Sequence, residues 1–380
     1  VTLHSKNTRR LFQFHISLSI ANRKIMKLSI FALFIFAFAF MSCNTPKTKD
    51  ERSHTEESIK PLPYFTFQKE NLFPGDGSLL RAEDGVYLED GRIVVVDQAK
   101  GLRLIEKDGS NRPFGDFAAA GFVHLPPEQV AAPNGVVLEH DKKHILMSDV
   151  ADGKIYRVNV ATEKVEMIYD HPYGVNTIYR DKTGALWFSQ STESTNVEEM
   201  FRDVNLPVPH GAVFRMADLK SVPVKIADSL YFANGITMDK DEKHLFVSET
   251  MMDRVHLFEV DINSGLAKYT GVAANVGSPD NILIDQEGRL IVASPLYNQV
   301  IAVDFKNHSQ HVIFDGSSKD NLKITDEWNR RSHLGMERLE LLSPDLFLPL
   351  PGLLTGMFFS DDGHTLYITN LGNDLLKYDF

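Results

Sequence analysis

The sequence predicts an all-β fold, a six-bladed β-propeller closed by pairing of an N-terminal strand with the last blade. Three observations predict it. A strand-turn-strand pattern recurs six times, a third strand follows the copies, and a strand-like stretch without a partner precedes the first copy.

The six copies read "EDGVYLEDGRIVVVD", "NGVVLEHDKKHILMSD", "NTIYRDKTGALWFSQ", "NGITMDKDEKHLFVSE", "DNILIDQEGRLIVAS" and "TGMFFSDDGHTLYITN". Each begins with an alternating run, turns through Asp, Gly or Lys, and continues in β-branched or aromatic residues. The third strands are "GLRLIEKDG", "KIYRVNV", "GAVFRMAD", "RVHLFEVD", "QVIAVDF" and "LLKYDF". Radial repetition of three or four short strands gives this even period, whereas an open sandwich does not. The last copy lacks an outer strand, and "PYFTFQKENLF", residues 63–73, would supply it and cover a sheet edge.

Two stretches leave the repeat. Residues 191–210 interrupt the third blade, and residues 315–350 separate the fifth from the sixth. In the second, "TDEWNRRSHLGMERLELL" has an amphipathic pattern that predicts a helix with Thr325 as N-cap. Such insertions line a binding face or act as packing flaps. His210 and His333 lie in them as candidate proton carriers, with surface or packing roles as the alternative. Trp187 and Trp328 read as packing residues.

A chain of 380 residues suits one propeller, and a formal net charge of -11 leaves no basic stripe for nucleic acid. That balance suits a bound cation. The single cysteine, Cys43, excludes an intrachain disulfide and a thiolate metal cluster. It ends "MKLSIFALFIFAFAFMSC", which resembles a bacterial lipoprotein signal whose cysteine is lipidated after cleavage; an ordinary secretory signal or an N-terminal anchor is the alternative. The expected organisation is then an over-extended gene start (1–25), a lipoprotein signal peptide (26–43), a polar flexible tether (44–62) and the propeller (63–380). The protein would sit in a bacterial cell envelope, periplasmic or surface-facing, touching the membrane through its lipid anchor only.

Gly91, Lys142, Gly184, Glu242, Gly288 and Gly363 hold equivalent turn positions, and eight residues before each lie Glu83, Asn134, Asn176, Asn234, Asp280 and Thr355. Inner strands of a propeller run along its axis, so these six should form one ring at one depth. Carboxylates, amides and a hydroxyl without His or Cys suit Ca²⁺, then Mg²⁺ or Mn²⁺, and disfavour zinc or copper. Without a cation, Glu83 and Asp280 should repel and one should take up a proton. Taken singly, each "NG" or "DN" reads equally well as turn chemistry. Asp84 is the rival of Glu83, but the eight-residue count favours Glu83.

At these residues the chain resembles the calcium-dependent propeller superfamily of gluconolactonases (the senescence marker protein family), paraoxonases and strictosidine synthase-like proteins. The resemblance covers about residues 63–380, best in "FANGITMDKDEKHLFVSET", "GSPDNILIDQEGRLIVAS" and "GMFFSDDGHTLYITNLGNDLLKYD". "PDNI" and "STEST" lean toward the strictosidine synthase-like branch. It implies that Glu83, Asn176, Asn234 and Asp280 ligate a catalytic metal and that Asp280 is also the base. Asn281 follows the paraoxonase pattern as a further ligand, although strand alternation would turn it away unless the strand starts irregularly. Asn134 stands where that branch has a catalytic histidine, which argues against a His dyad and its arylesterase or phosphotriesterase chemistry. Strictosidine synthases proper lack this metal set, so amine condensation is also disfavoured.

The expected activity is metal-dependent hydrolysis of a small-molecule lactone or related ester, with the carbonyl polarised by a central cation and water activated by Asp280 or the metal. Asn134 would hydrogen-bond substrate, complete the metal shell, or serve structure alone. The chain has no G-x-S-x-G elbow. The alternative is a non-catalytic lipid-anchored propeller that binds a sugar or protein partner and uses a structural metal.

Overall fold

The computed structural model describes residues 61–124 and 131–380. Its repeat is built on the six aligned turns. In each, the turn residue's backbone N–H donates to the carbonyl three residues back, at 2.8–3.1 Å, from Gly91 to Leu88 through Gly363 to Ser360. All six adopt left-handed φ, from 56° to 89°. Glycine enters that region freely, whereas Lys142 and Glu242 carry a cost of ~1–2 kcal/mol. At Glu242 the carboxylate compensates by accepting from the Tyr179 hydroxyl and the Lys182 N–H, both at 3.0 Å.

Six sheets result, antiparallel but for one added edge strand, and their inner strands are Gly85–Tyr87, Pro133–Leu138, Val175–Arg180, Ala233–Met238, Ile282–Ile284 and Leu354–Phe359. Apolar faces of neighbouring sheets pack together. Val94, Leu102 and Leu104 of blade 1, for example, meet Ile145, Tyr156 and Val158 of blade 2. Trp187 is fully buried in blade 3, with its indole N–H on the Asp181 carboxylate at 2.8 Å.

Closure follows the expected route and adds to it. Leu72–Phe73 pairs antiparallel with Leu376 and Leu375 as the outer strand of blade 6. Seven residues earlier, Phe65–Thr66 pairs parallel with Phe314 and Asp315, giving blade 5 a fifth strand that the repeat does not foretell. Tyr378 ties the two additions, donating its hydroxyl to the Thr66 carbonyl at 3.0 Å.

The ladder is irregular where the inner strands begin. Register shifts fall between Pro133 and Val136, Val175 and Ile178, Ala233 and Ile236, and Leu354 and Gly356. A bulge re-aims the side chains it carries. Each shift spans one of the six aligned residues.

Both insertions leave the sheets at this same end. The first forms helix α1, Val197–Asn205, capped by the Asn196 side chain on the Glu199 N–H at 2.9 Å. The second forms α2, Lys319–Leu334, and α3, Pro344–Phe347. Ser318, not Thr325, caps α2, its hydroxyl accepting the Asn321 N–H at 3.1 Å. Thr325 is instead buried within the helix, its hydroxyl donating to the Leu296 carbonyl, so the expected cap is corrected. Gly335 at φ 62° ends α2 before the remainder of the predicted amphipathic stretch. The insertions pack together: Val204 joins Trp328 and Leu346, and buried Arg338 stacks on Trp328 at 4.5 Å while its Nε donates to the Val204 carbonyl at 3.1 Å.

No helix among the described residues is long and apolar enough to cross a membrane. The expected gene start, signal peptide, Cys43 and all but the end of the tether lie outside the described residues.

Candidate metal centre at the propeller axis

Glu83, Asn134, Asn176, Asn234, Asp280 and Thr355 are all at least nine-tenths buried. Direct bonds join several of them across blades. Asn134 Nδ2 donates to Asn176 Oδ1 at 2.9 Å, and the Thr177 hydroxyl lies 3.0 Å from that same oxygen and 3.2 Å from Asn281 Oδ1. Asn281 Nδ2 in turn reaches Glu83 Oε1 at 3.4 Å, across 198 residues of chain. Thr355 donates to the Glu83 backbone carbonyl at 2.7 Å, holding blade 6 to blade 1.

The glycines beside these residues are not turn residues. Gly135 and Gly235 lie inside strands, and a Cβ on them would come within 2.9 Å of the Asn176 carbonyl oxygen and 2.5 Å of the Asp280 carbonyl oxygen. They let adjacent inner strands approach at the narrow end of the blades. The turn explanation of each "NG" therefore fails.

Hydroxyls orient the amides. Asn176 Nδ2 donates to Ser191 Oγ at 2.9 Å and Asn234 Nδ2 to Thr250 Oγ1 at 3.1 Å. Those hydroxyls donate onward to the Ala233 and Pro279 carbonyls, each at 2.8 Å. So oriented, Asn176 turns its oxygen to Asn134 and Thr177, whereas the oxygen of Asn234 is left open. Asn234 Oδ1 and Glu83 Oε2 are buried with no hydrogen-bond partner among the described residues. Leaving such acceptors empty costs about 1–3 kcal/mol each, more for a charge. Both are hard oxygen donors of the kind that Ca²⁺, Mg²⁺ or Mn²⁺ would take, so the chemistry of the donor set fits such an ion.

Charge agrees with that fit. Burial pushes the Glu83 carboxyl up to about 7, opposed by the Arg81 guanidinium and the Asn281 and Asn134 amides. Burial, then the neighbouring Glu83 charge, holds Asp280 well above the usual carboxylate range, with Asn234 opposing. Two acids that resist ionisation together are stabilised as anions by a cation between them.

Asp84 is engaged elsewhere. Its oxygens accept the Gly85 and Val136 N–H groups at 2.8 and 2.7 Å, tying blade 1 to blade 2. Asn281 turns inward because its strand does start irregularly. Its N–H donates to Thr355 of the next blade at 3.1 Å, and regular pairing begins only at Ile282. Of the two candidate histidines, His210 pairs with Asp203 on α1 at 2.9 Å and His333 is exposed on α2.

Sequence reasoning missed Arg81, Thr177 and a set of second-strand hydroxyls. Ser148, Ser189 and Thr369 donate to the Asn176, Asn234 and Glu83 backbone carbonyls at 2.6, 2.6 and 2.7 Å, each stitching one blade to the next. Their signal is the Ser or Thr before the last residue of "ILMSD", "LWFSQ" and "TLYITN". Thr177 had none, because only the bulge turns it inward. Away from the ring, Glu139, Asp141 and His144 bring their ligand atoms within 4.8 Å of one another. They stand at the far end of the blade 2 inner strand, and Arg157 and Arg180 already engage Glu139.

The model of the SMP-30/gluconolactonase/LRE-like region family matches residues 165–314. Protein strictosidine synthase-like 6 of Arabidopsis thaliana is 25% identical over 246 residues, covering 63% of this chain and 62% of that protein. Lactonase drp35 of Staphylococcus epidermidis is 25% identical over 201 residues, covering 41% and 60%. The chain thus spans less than two thirds of these relatives' length. Among solved structures, a gluconolactonase from Xanthomonas campestris superposes with a TM-score of 0.55 at 18% identity, covering 84% of this chain and 95% of that one. A calcium-binding regucalcin from Agrobacterium tumefaciens gives 0.52 at 15%, covering 80% and 86%. At that identity the superpositions speak for the fold alone. The chain is thus similar in sequence to the SMP-30/gluconolactonase/LRE-like region and to strictosidine synthase-like proteins, and it shares the β-propeller fold of the gluconolactonase structure.

Proposed function

We propose that the protein is a metal-dependent hydrolase of lactones or related esters, with Ca²⁺ as its ion and Mg²⁺ or Mn²⁺ as substitutes. The observation that carries this reading is the pair of buried, partnerless oxygens, Glu83 Oε2 and Asn234 Oδ1, next to an acid of raised proton affinity. Relatives named lactonase, and a gluconolactonase and a calcium-binding protein of like fold, support it.

Glu83, Asn176, Asn234 and Asp280 would hold the ion. When bound, it supplies Lewis acidity toward an ester carbonyl. Asp280 takes the proton of the attacking water and returns it to the leaving alkoxide, so the acid is regenerated each turnover. Asn134 and Asn281 orient the substrate carbonyl or complete the shell. The same reading keeps lipidation of Cys43 and an envelope location, which a Cys43→Ser change should abolish as a shift from membrane to soluble fractions.

The test is acid release from a panel of γ- and δ-lactones by chelator-treated protein before and after adding Ca²⁺. Turnover that appears with the ion supports hydrolysis. Calcium binding by calorimetry without turnover on any lactone or ester would instead leave the competing reading, capture of a sugar or protein partner beside a structural metal.

A further inference from the structure

Hydrolysis by the ring leaves one charged group without a task. Arg81 precedes Glu83 by two residues and is half-buried. Burial disfavours its charge, and the negative charges of Glu83, Asp149 and Asp280 oppose that effect. Nη1 donates to the Pro133 carbonyl at 2.8 Å, immediately before Asn134, so the head is fixed between blades 1 and 2. The backbone is fixed as well. Arg81 N–H donates to the Gly372 carbonyl and its own carbonyl accepts the Glu83 N–H, both at 2.9 Å, in the left-handed conformation at φ 55°.

A guanidinium has five N–H donors and ordinarily closes on a carboxylate as a fork. Among the described residues, this side chain donates to that one carbonyl. The acids around it are committed. Asp149 accepts the Ala132 and Ala151 N–H groups at 3.1 and 2.8 Å and Asp84 accepts Gly85 and Val136, while Glu83 and Asp280 are assigned to the ion. Arg81 therefore stands by an acid-lined axis with most of its donors open, and neutral ring opening does not call for it.

We propose that Arg81 binds a carboxylate on the substrate, so that the site selects lactones or esters carrying a free acid group beside the scissile bond. This rests on the hydrolase reading. On a chain of net charge -11 the acids of the ring would turn such a substrate away, and Arg81 reverses that locally.

The experiment compares a γ-lactone bearing a ring carboxylate with its uncharged carboxamide, on calcium-loaded wild type, Arg81→Met and Arg81→Lys. Wild type should favour the carboxylate in kcat/KM. In Arg81→Met the carboxylate-to-carboxamide ratio should fall about 10- to 100-fold, with Arg81→Lys recovering part of it. A merely charge-balancing arginine would change both substrates alike, and an unchanged ratio overturns the proposal. Should wild type hydrolyse neither compound, hydrolysis of this class fails, and calorimetry on the same pair decides the role of Arg81. Preferential carboxylate binding lost in Arg81→Met upholds that role. Equal binding of the pair, no binding of the carboxylate, or a preference that survives in Arg81→Met overturns it.

Discussion

Asn134 and Asn176, heads of neighbouring inner strands, share a buried 2.9 Å hydrogen bond from amide to amide oxygen. Asn234, one blade on, has its amide oxygen buried and partnerless. The same truncation should therefore have opposite signatures. Asn134→Ala is expected to lower stability by ~1–2 kcal/mol in chelator. Asn234→Ala gives up the bond to Thr250 but also removes the unsatisfied oxygen, so it should change stability by less than about 1 kcal/mol yet weaken calcium binding at least about 10-fold. Urea unfolding in chelator and calcium calorimetry separate the two.

Asp280 is disfavoured as an anion by burial and by Glu83. Asp280→Asn removes the repulsion and keeps the shape. Calcium-free Asp280→Asn should melt at or above the wild-type temperature, bind calcium about 100-fold more weakly, and lose hydrolysis. Hydrolysis that survives the change would refute the role of Asp280 as base.

Glu83 gives the pH dependence. Its carboxyl is raised from 4.5 to about 7 on folding, so the native state binds the extra proton between those values. Stability from this group is thus present at low pH and is lost as pH rises through about 7. In chelator, the melting temperature of wild type relative to Glu83→Gln should fall between pH 5 and 8. Calcium should cancel the fall, and its binding near pH 6 should release protons.

Arg338 joins α1 to the second insertion through Trp328, the Val204 carbonyl and the Asn205 side chain, which accepts the Arg338 N–H at 2.8 Å. Arg338→Ala leaves a gap under the cap and should cost about 2 kcal/mol or more. Limited proteolysis should then cut within residues 191–210 or 315–350 first.

The repeat made the turns, the blades and the ring positions readable, because a fixed spacing between a turn and its strand is a local property. All six turn residues take the left-handed conformation, including Lys142 and Glu242, which spacing alone identified. What spacing cannot carry is the departure from regularity. Bulges at the strand heads turn Thr177 inward and an irregular start does the same for Asn281, and neither leaves a pattern in composition. The α2 cap was misjudged for a related reason: Thr325 and Ser318 are equal by chemistry, and only contact with Leu296 draws Thr325 into the interior. Arg81 lies ahead of the first strand, where no repeat unit exists to align it.

Leu72–Phe73 covers the edge that Leu375–Asp379 would otherwise expose. Deleting residues 61–73 should leave that edge open, lower the melting temperature and promote self-association, seen as a shift in light scattering.

The Asn71 side chain donates to the Lys377 carbonyl at 2.8 Å, across 306 residues. A growing polypeptide can therefore assemble blades 1 to 5 one after another as they emerge, but the circle cannot lock until its final strand has left the ribosome. Until then the waiting Leu72–Phe73 segment has no mate, and the nascent protein depends on its early blades for protection against misfolding.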